Sequence, residues 1–295
     1  MSTEGQQGNN NRSGKRGDSR KRNRSPRKNN QRMTREQIIE AWKPVTELGL
    51  KVKKGEITSL DQIFEMGETI KEAEIVDVLH PDLHSDLLLI GQAKGKFGGG
   101  KRRIFRQTQK KTREGNTIKF TTCAVVGNKN GYVGVSLGKS KETVPARDKA
   151  VAKAKLNLIK IRRGCGAWEG SADVNSIPFA VQGKCGSTII TLFQAHKGTG
   201  ICIEKECAKI LDAAGIQDIW SKTEGQTKTK INLIYACIDA LKQLSTMKIQ
   251  NRHIGALGII EGSYGVVENK PEIASIEEIQ KEMSEEAQEA VETSQ

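Results

Sequence analysis

Hydrophobic and β-branched positions cluster most clearly between Thr117 and Gly138, where the chain reads TIKFTTCAVVGNKNGYVGVSLG. Two β-rich runs flank Asn130-Gly131, which predicts an antiparallel hairpin whose type I′ turn places positive φ at those two residues. Gly134, inside the second run, predicts either a bulge or the close approach of another backbone. A helix follows from about Val144 to Leu158, with Ala150, Val151, Ala154 and Leu158 on one face and Lys149, Lys153 and Lys160 along another stripe. Upstream, Thr34 and Gln37 form a capping-box pattern for a helix that Lys43-Pro44 stops, and a short helix after Ser59 groups Leu60, Ile63 and Phe64. From Asp86 the pattern turns strand-like.

Past a glycine-broken connector, Arg162-Arg163-Gly164, strands are predicted over Ile177 to Gln182 and Ser187 to Phe193, joined by a turn at Gly183 to Gly186. Ile201 to Ile203 forms a third strand, a helix runs from about Glu204 to Gly215, and Ile216 to Trp220 forms a further strand. The last helix, from about Thr229 to Leu244, buries Ile231, Ile234, Tyr235, Ile238 and Leu241. Strands followed by helices on one side define a two-layer α+β unit. The organisation expected is a disordered basic arm (1–34), a helical extension (35–80), a sheet-and-helix domain with a basic loop (81–163), an α/β domain (164–250) and a C-terminal extension with an acidic tail (251–295).

Charge narrows the partners. The 295 residues carry a formal charge of +13 and a pI near 9.4, so the surface attracts polyanions, nucleic acid first among them. No apolar run approaches the roughly 18 residues of a membrane span, and no apolar signal segment is present, so a cytoplasmic protein without a membrane partner is expected. Residues 1–34 hold ten Lys/Arg against Glu4 and Asp18, whereas Glu268 onward holds nine Glu against two Lys. Every charged residue in the window GQAKGKFGGGKRRIFRQTQKKTR, 91–113, is a cation. A glycine-flexible cationic segment can wrap phosphates, which makes Lys94, Lys96, Lys101, Arg102, Arg103, Arg106, Lys110, Lys111 and Arg113 candidate RNA ligands. Lys129 and Lys139 on the hairpin, and Lys149 and Lys153 on its helix, extend the set. So do Arg162 and Arg163 in the connector, and Lys184, Lys228 and Lys230 in the second domain. The small basic sheet backed by a basic helix has the form of a surface that lies on RNA phosphates.

Catalytic readings lack support. Lys197-Gly198-Thr199-Gly200 is not a phosphate loop, because the order Gly, Lys, Ser/Thr at a helix start is missing. His80 and His84, in HPDLH, have the spacing of paired metal ligands, but Pro81 interrupts the helix and no glutamate follows the first histidine, so neither a metal nor another cofactor is expected. Six cysteines without a CxxC pair read as reduced, mostly buried thiols, Cys165 among them. Trp168 reads as a packed or interdomain residue rather than a base-stacking one.

The ordered series VVGNKNGYVGVSLGKSKE, AVAKAKLNLIKIRRGCGAWE, KGTG and AAGIQDIWSKTEGQTKT, spread over about 36–247, resembles the universal family of small-subunit ribosomal protein five in its archaeal form. The resemblance implies an N-terminal domain like double-stranded-RNA-binding folds, a C-terminal two-layer α/β domain of the ribosomal-protein-five domain-2-like type, and a structural, non-enzymatic role. It implies small-subunit ribosomal RNA as partner, small-subunit proteins four and eight as neighbours, and a place near the messenger entry path where accuracy is influenced. By motif, Gln107 to Asn116 becomes a loop reaching into RNA, while Lys197, Gly198, Thr199, Gly200 and Lys209 face a neighbouring protein. No small-molecule substrate is implied. The reading from another class is a free double-stranded-RNA-binding chaperone or regulator.

Overall fold

The computed structural model describes Ile39 and residues 42–93, 100, 102–166 and 174–262. The basic arm, most of the helix expected from Thr34, Lys94, Lys96, Lys101, Trp168 and the acidic tail lie outside these residues. Three short helices come first: α1 (Glu47–Lys54), α2 (Leu60–Met66) and α3 (Ala73–Leu79). Thr46 caps α1 by accepting from the Gly49 amide at 3.1 Å, and Gly55 closes it in the left-handed conformation. Glu72 ties the start of this region together: its carboxylate accepts from Trp42 Nε1 at 2.8 Å, from the Val45 amide at 2.9 Å and from the Thr46 amide at 2.7 Å.

The first sheet contains β1 (His84–Leu88), β2 (Arg106–Thr112), β3 (Gly115–Gly127), β4 (Tyr132–Ser140) and β5 (Leu158–Lys160), with α4 (Thr143–Leu156) between the last two. All of its pairings are antiparallel. The long strand β3 takes β2 against Gly115 to Thr121 and β1 against Cys123 to Gly127, so both share one of its edges. After β6 (Arg162–Arg163), the second sheet has the order β7-β8-β10-β9. It is built from β7 (Val181–Cys185), β8 (Thr188–Gln194), β9 (Ile201–Cys202) and β10 (Ile219–Glu224). Helix α6 (Lys230–Thr246) packs on it, α5 (Lys205–Ala214) packs chiefly against β3 and β4 of the first sheet, and α7 (Asn251–Ala256) leads to β11 (Ile260–Glu261), which pairs with β6. The expected α+β class, one sheet crossed by a helix and then a two-layer unit, is the one found.

Strand alternation decides how the halves meet. On β3, Ala124 and Val126 point toward α4, while Cys123 and Val125 join a core that also holds Ile210 and Leu211 of α5 and Ile234 and Leu241 of α6. One continuous hydrophobic core therefore spans both sheets. From Cys123 to Val135 the sheet expected to lie on RNA phosphates is covered on both faces. The apolar run CAVVG has no polar alternation for that reason.

Gly134 is not a bulge; the β3–β4 register runs through it without a break, and a Cβ there would lie 2.1 Å from the Ala154 carbonyl oxygen. Gly138 repeats this against Ala146, so a glycine row on β4 receives an alanine face of α4 (Ala146, Ala150, Ala154) at backbone contact distance. Gly183, expected in a turn, is a strand residue of the same kind: its Cβ would meet the Ala236 carbonyl at 2.1 Å. The turn is Gly186-Ser187, and strand β10 likewise begins three residues later than expected.

The hairpin turn also differs from expectation. Positive φ falls on Lys129 (58°) and Gly131 (95°), not on Asn130. The Asn128 side chain accepts from the Asn130 and Tyr132 amides at 2.8 and 3.1 Å, forming a four-residue Asx-type loop in place of a type I′ turn. The helical extension packs on the other side of this region through Trp42, Ile63, Ile75 and Val78, with Tyr132 and Leu158 supplied by the sheet domain. Phe64 stacks on Tyr132 and His80 tilts against it, with ring centroids 5.9 and 5.6 Å apart. Lys155 to Asp77 at 2.6 Å and Lys160 to Asp61 at 2.7 Å complete the seam, so Lys160 belongs to β5 and an ion pair, not to a helical stripe. Of the six thiols, Cys123, Cys165, Cys207 and Cys237 are buried, and burial with nearby Glu206 pushes Cys123 up to about 12.

Gly134→Ala forces a methyl into the α4 backbone, and urea unfolding should show a loss of about 1–3 kcal/mol; an unchanged midpoint would contradict the close-packed seam. Burial lowers the His80 pKa against the opposing pull of Asp61 and Asp82. The folded state thus binds this proton less readily than the unfolded chain. Stability is retained above the unfolded value of about 6.5 and is lost as the pH falls toward the lower folded value. His80→Phe should flatten the dependence of the melting temperature on pH in that window.

Candidate nucleic-acid interface

The joint between the two halves sets the spacing of the cations. Helix α5 ends in carbonyls that lack helical partners. The Lys129 amide donates to Ala213 O and the Gly131 amide to Ala214 O, both at 2.9 Å, so the β3–β4 loop caps the helix. Gly127 and Gly215 allow the contact, since a Cβ on either would meet backbone at 2.2 and 2.1 Å. Arg163 is 5% exposed, and its Nη2 donates to Asn130 Oδ1 at 2.6 Å and to the Gly262 carbonyl at 3.3 Å. Burial lowers its pKa, yet a guanidinium stays charged and suits the negative end of α5. Arg162 pairs with Glu261 and donates to the Leu244 and Met247 carbonyls. The two connector arginines are therefore fasteners inside the protein. Both were expected as RNA ligands, and the hydrogen bonds they make here are to groups of the protein itself.

Lys209, expected to face a neighbouring protein, pairs with Asp86 at 2.9 Å and donates to the Leu87 carbonyl at 3.3 Å, tying α5 to β1. Buried Glu206 adds to this tie by accepting from the Leu89 amide at 2.7 Å.

Beside this joint lies a cleft of about 960 Å³. One wall is the segment after the glycine-rich insertion, where Ala93 bridges to Arg102 and the Gly91 amide donates to Arg103 O at 2.8 Å. Gly91 is required there, because a Cβ would meet the Phe105 carbonyl at 2.4 Å. The other wall is the start of α6. Arg102, Arg103 and Arg106 thereby face Lys228 and Lys230, which stand more than 120 positions away in sequence, and among the described residues that line the cleft there is no carboxylate. Lys230 is already paired with Glu204 at 2.9 Å, whereas Lys228 is exposed.

From the cleft a two-stranded ribbon, β2 with the start of β3, runs outward through the Gln107 to Asn116 segment. Cross-strand register puts Arg106, Lys110 and Lys119 on one face, with Lys111 on the other and Arg113 in the tip. A second basic hollow gathers Lys139 and Lys149 with Lys119 and Lys141, around Glu142. Lys119 and Lys141 were missed in the sequence; the strand register of Lys119 opposite Thr108 is the signal that places it with the others. Lys153 is exposed on α4 and Lys184 on β7, apart from these groups, while Lys129 pairs with Asp212 at 3.4 Å.

The Lys197 to Gly200 loop is held from below. Asp218, 4% exposed, accepts from the Gly200 amide at 2.7 Å and from Asn175 Nδ2 at 2.8 Å. Next to it, Phe193 and Trp220 lie opposite each other across β8 and β10, 37% and 45% exposed, with His196 edge-on to Trp220 at 6.0 Å. This aromatic patch was not anticipated; its signal is a tryptophan and a phenylalanine on outward strand positions.

The match to known proteins covers both halves. Residues 104–162 match the model of the ribosomal protein S5 N-terminal domain, and residues 183–253 that of the ribosomal protein S5 C-terminal domain. The chain is 46% identical over 226 residues to small ribosomal subunit protein uS5 of Nanoarchaeum equitans, an alignment spanning 76% of this chain and 97% of that protein. It is 45% identical over 224 residues to the protein of that name from Methanosphaera stadtmanae (76% and 92% covered). With that from Methanocaldococcus jannaschii it shares 42% over 225 residues (76% and 97%). The chain belongs to the ribosomal protein S5 family.

If Arg163 is a fastener, Arg163→Met should lower stability by roughly 1.5–3 kcal/mol for each charge-assisted hydrogen bond removed, read by urea denaturation. RNA affinity of the folded fraction should stay unchanged. A variant of full stability with weakened RNA binding would return Arg163 to the interface.

Proposed function

We propose that this chain is a structural constituent of the small ribosomal subunit that clamps ribosomal RNA between its two halves, and that it catalyses nothing. The observation that carries this reading is the cleft in which Arg102, Arg103 and Arg106 meet Lys228 with no carboxylate among the described residues of the lining. Such a site neutralises phosphates from two directions and releases their counterions. The cross-strand cations of the ribbon extend the same field outward, so a groove of A-form RNA is met by shape and phosphate contacts rather than by base stacking, for which aromatic residues are scarce at 4%. Lys139 of β4 and Lys149 of α4, in the second hollow, add a further set of contacts, and Lys153 extends it along α4. Lys94, Lys96 and Lys101, adjacent in sequence to the first wall, add to its charge.

The Lys197 to Gly200 loop and the Phe193–Trp220 patch form the surface for neighbouring proteins. Small-subunit proteins four and eight are the partners assigned to it, with messenger entry and decoding accuracy as the process served. The support is the combination of exposed aromatics, which are enriched in protein interfaces, with a loop anchored on buried Asp218.

Replacing Arg102, Arg103 and Lys228 together by alanine should weaken binding to small-subunit RNA and reduce the slope of log K against log salt by roughly 0.7–0.9 for each phosphate no longer neutralised. An unaltered slope would show that the cleft serves something other than phosphate. In a magnesium-containing sucrose gradient of native lysate, the chain should co-migrate with the small subunit in stoichiometric amount. Accumulation at the top of the gradient would favour a free regulator of double-stranded RNA instead.

A further inference from the structure

Strand β10 is longer than the strand on its outer side. Residues Ile219 to Glu224 pair with β8 along their whole length, whereas β9 pairs with Ile219 and Trp220 alone. The Ile219 amide donates to Gly200 O at 3.2 Å on the β9 side, and Ser221 Oγ donates to Cys202 O at 2.9 Å where β9 ends. Backbone groups of a strand point to alternate sides, so Thr223 turns its N–H and C=O the same way as Ile219. Among the described residues no group meets them there, and Lys222, Thr223 and Glu224 are exposed. The opposite edge of the same sheet is closed by a side chain, since the Lys184 amide of β7 donates to Asp239 of α6 at 3.2 Å.

We propose that an extended segment of a neighbouring protein adds to the sheet beside β10, in line with β9, and that the exposed Phe193–Trp220 pair seats its side chains. This rests on the reading of that pair as a protein-facing surface. An unpaired strand edge offers a donor and an acceptor side by side, and another strand meets both in register. A phosphate accepts but does not donate, so it serves the Thr223 amide and leaves the carbonyl bare. Charge points the same way: Lys222, the cation on this edge, pairs with Glu224 at 3.1 Å, so the edge has no excess of positive charge to draw RNA from the cleft.

Register sets the chemistry of the segment. It matches the four residues, Ser221 to Glu224, that run past β9. Thr223 and Ser221 stand opposite the buried Ile190 and Leu192, which places Trp220, Lys222 and Glu224 on the solvent face. A partner residue opposite Lys222 lies diagonal to Trp220, within reach of an aromatic or long side chain. The occupant is thus an extended stretch of about four residues with an aromatic or aliphatic side chain at that place and no proline at the bonded position.

Hydrogen exchange of the full chain, free and in the assembled small subunit, reads the bond directly. The Thr223 amide should exchange readily in the free chain and about tenfold more slowly, or slower still, in the subunit. Protection already present in the free chain, or absent from the subunit, overturns the proposal. Proline is tolerated at a strand position whose N–H points off the sheet edge, so Thr223→Pro should fold and bind small-subunit RNA as the unaltered chain does. In competition with the unaltered chain for small subunits reconstituted without it, Thr223→Pro should be incorporated about tenfold less well, while Thr223→Val, which keeps the amide, should compete equally. Equal incorporation of Thr223→Pro with a deficit for Trp220→Ala keeps the protein-facing surface and removes strand addition. Equal incorporation of both removes the two readings together. A photoreactive benzoylphenylalanine in place of Lys222 should cross-link to protein in the subunit; links to RNA overturn the proposal. A dimer of the free chain that Thr223→Pro abolishes assigns the edge to a second copy and overturns it as well.

Discussion

The structure depends on how the C-terminus of α5 is closed. A helix end with unpartnered carbonyls must find donors, and here the donors are the Lys129 and Gly131 amides of a hairpin loop from the other half of the chain. Arg163 sits buried over the same joint and links the loop to Gly262. Because these bonds are made in the interior, away from competing water, the halves cannot separate without exposing polar groups and a shared core together. The consequence is a fixed distance between cations that the sequence keeps far apart.

The second constraint is steric. Glycines at 134, 138 and 183 let helices approach strands until backbone meets backbone, and the partner faces of α4 and α6 carry alanine at the contact points. Thin packing of this kind leaves the outer face of α4 free for Lys149 and Lys153 while its inner face closes over the sheet. The cations thus divide by environment. Arg162, Arg163, Lys155, Lys160 and Lys209 have carboxylates or carbonyls of the protein itself as partners and hold the fold. Those of the cleft wall and the ribbon face outward, where phosphates can reach them.

Most elements were legible in the sequence because they rest on local rules. The α5 boundaries follow from Glu204 as N-cap and Gly215 as C-cap, and the β3–β4 pair follows from the β-branched runs that flank the turn at Asn130-Gly131. The misreadings share one cause, a partner distant in sequence. Asn130-Gly131 has the composition of a type I′ turn, but the Asn128 side chain and the α5 carbonyls, more than 80 positions on, select another loop. Gly183 reads as a turn residue until Ala236 is seen above it. Charge along a chain likewise does not reveal acceptors, so Arg162, Arg163 and Lys209 looked free when they are internally bound. The short helices α1 and α3 lie within the expected helical extension of 35–80 but are not placed individually by the sequence reading.

Electron cryomicroscopy of the assembled small subunit containing this chain tests most directly whether one rigid chain grips RNA from both of its halves. A two-walled grip predicts RNA phosphates within about 4 Å of Arg103 on one wall of the cleft and of Lys228 on the other. A subunit in which RNA touches only the ribbon, with the cleft filled by protein or solvent, would contradict it.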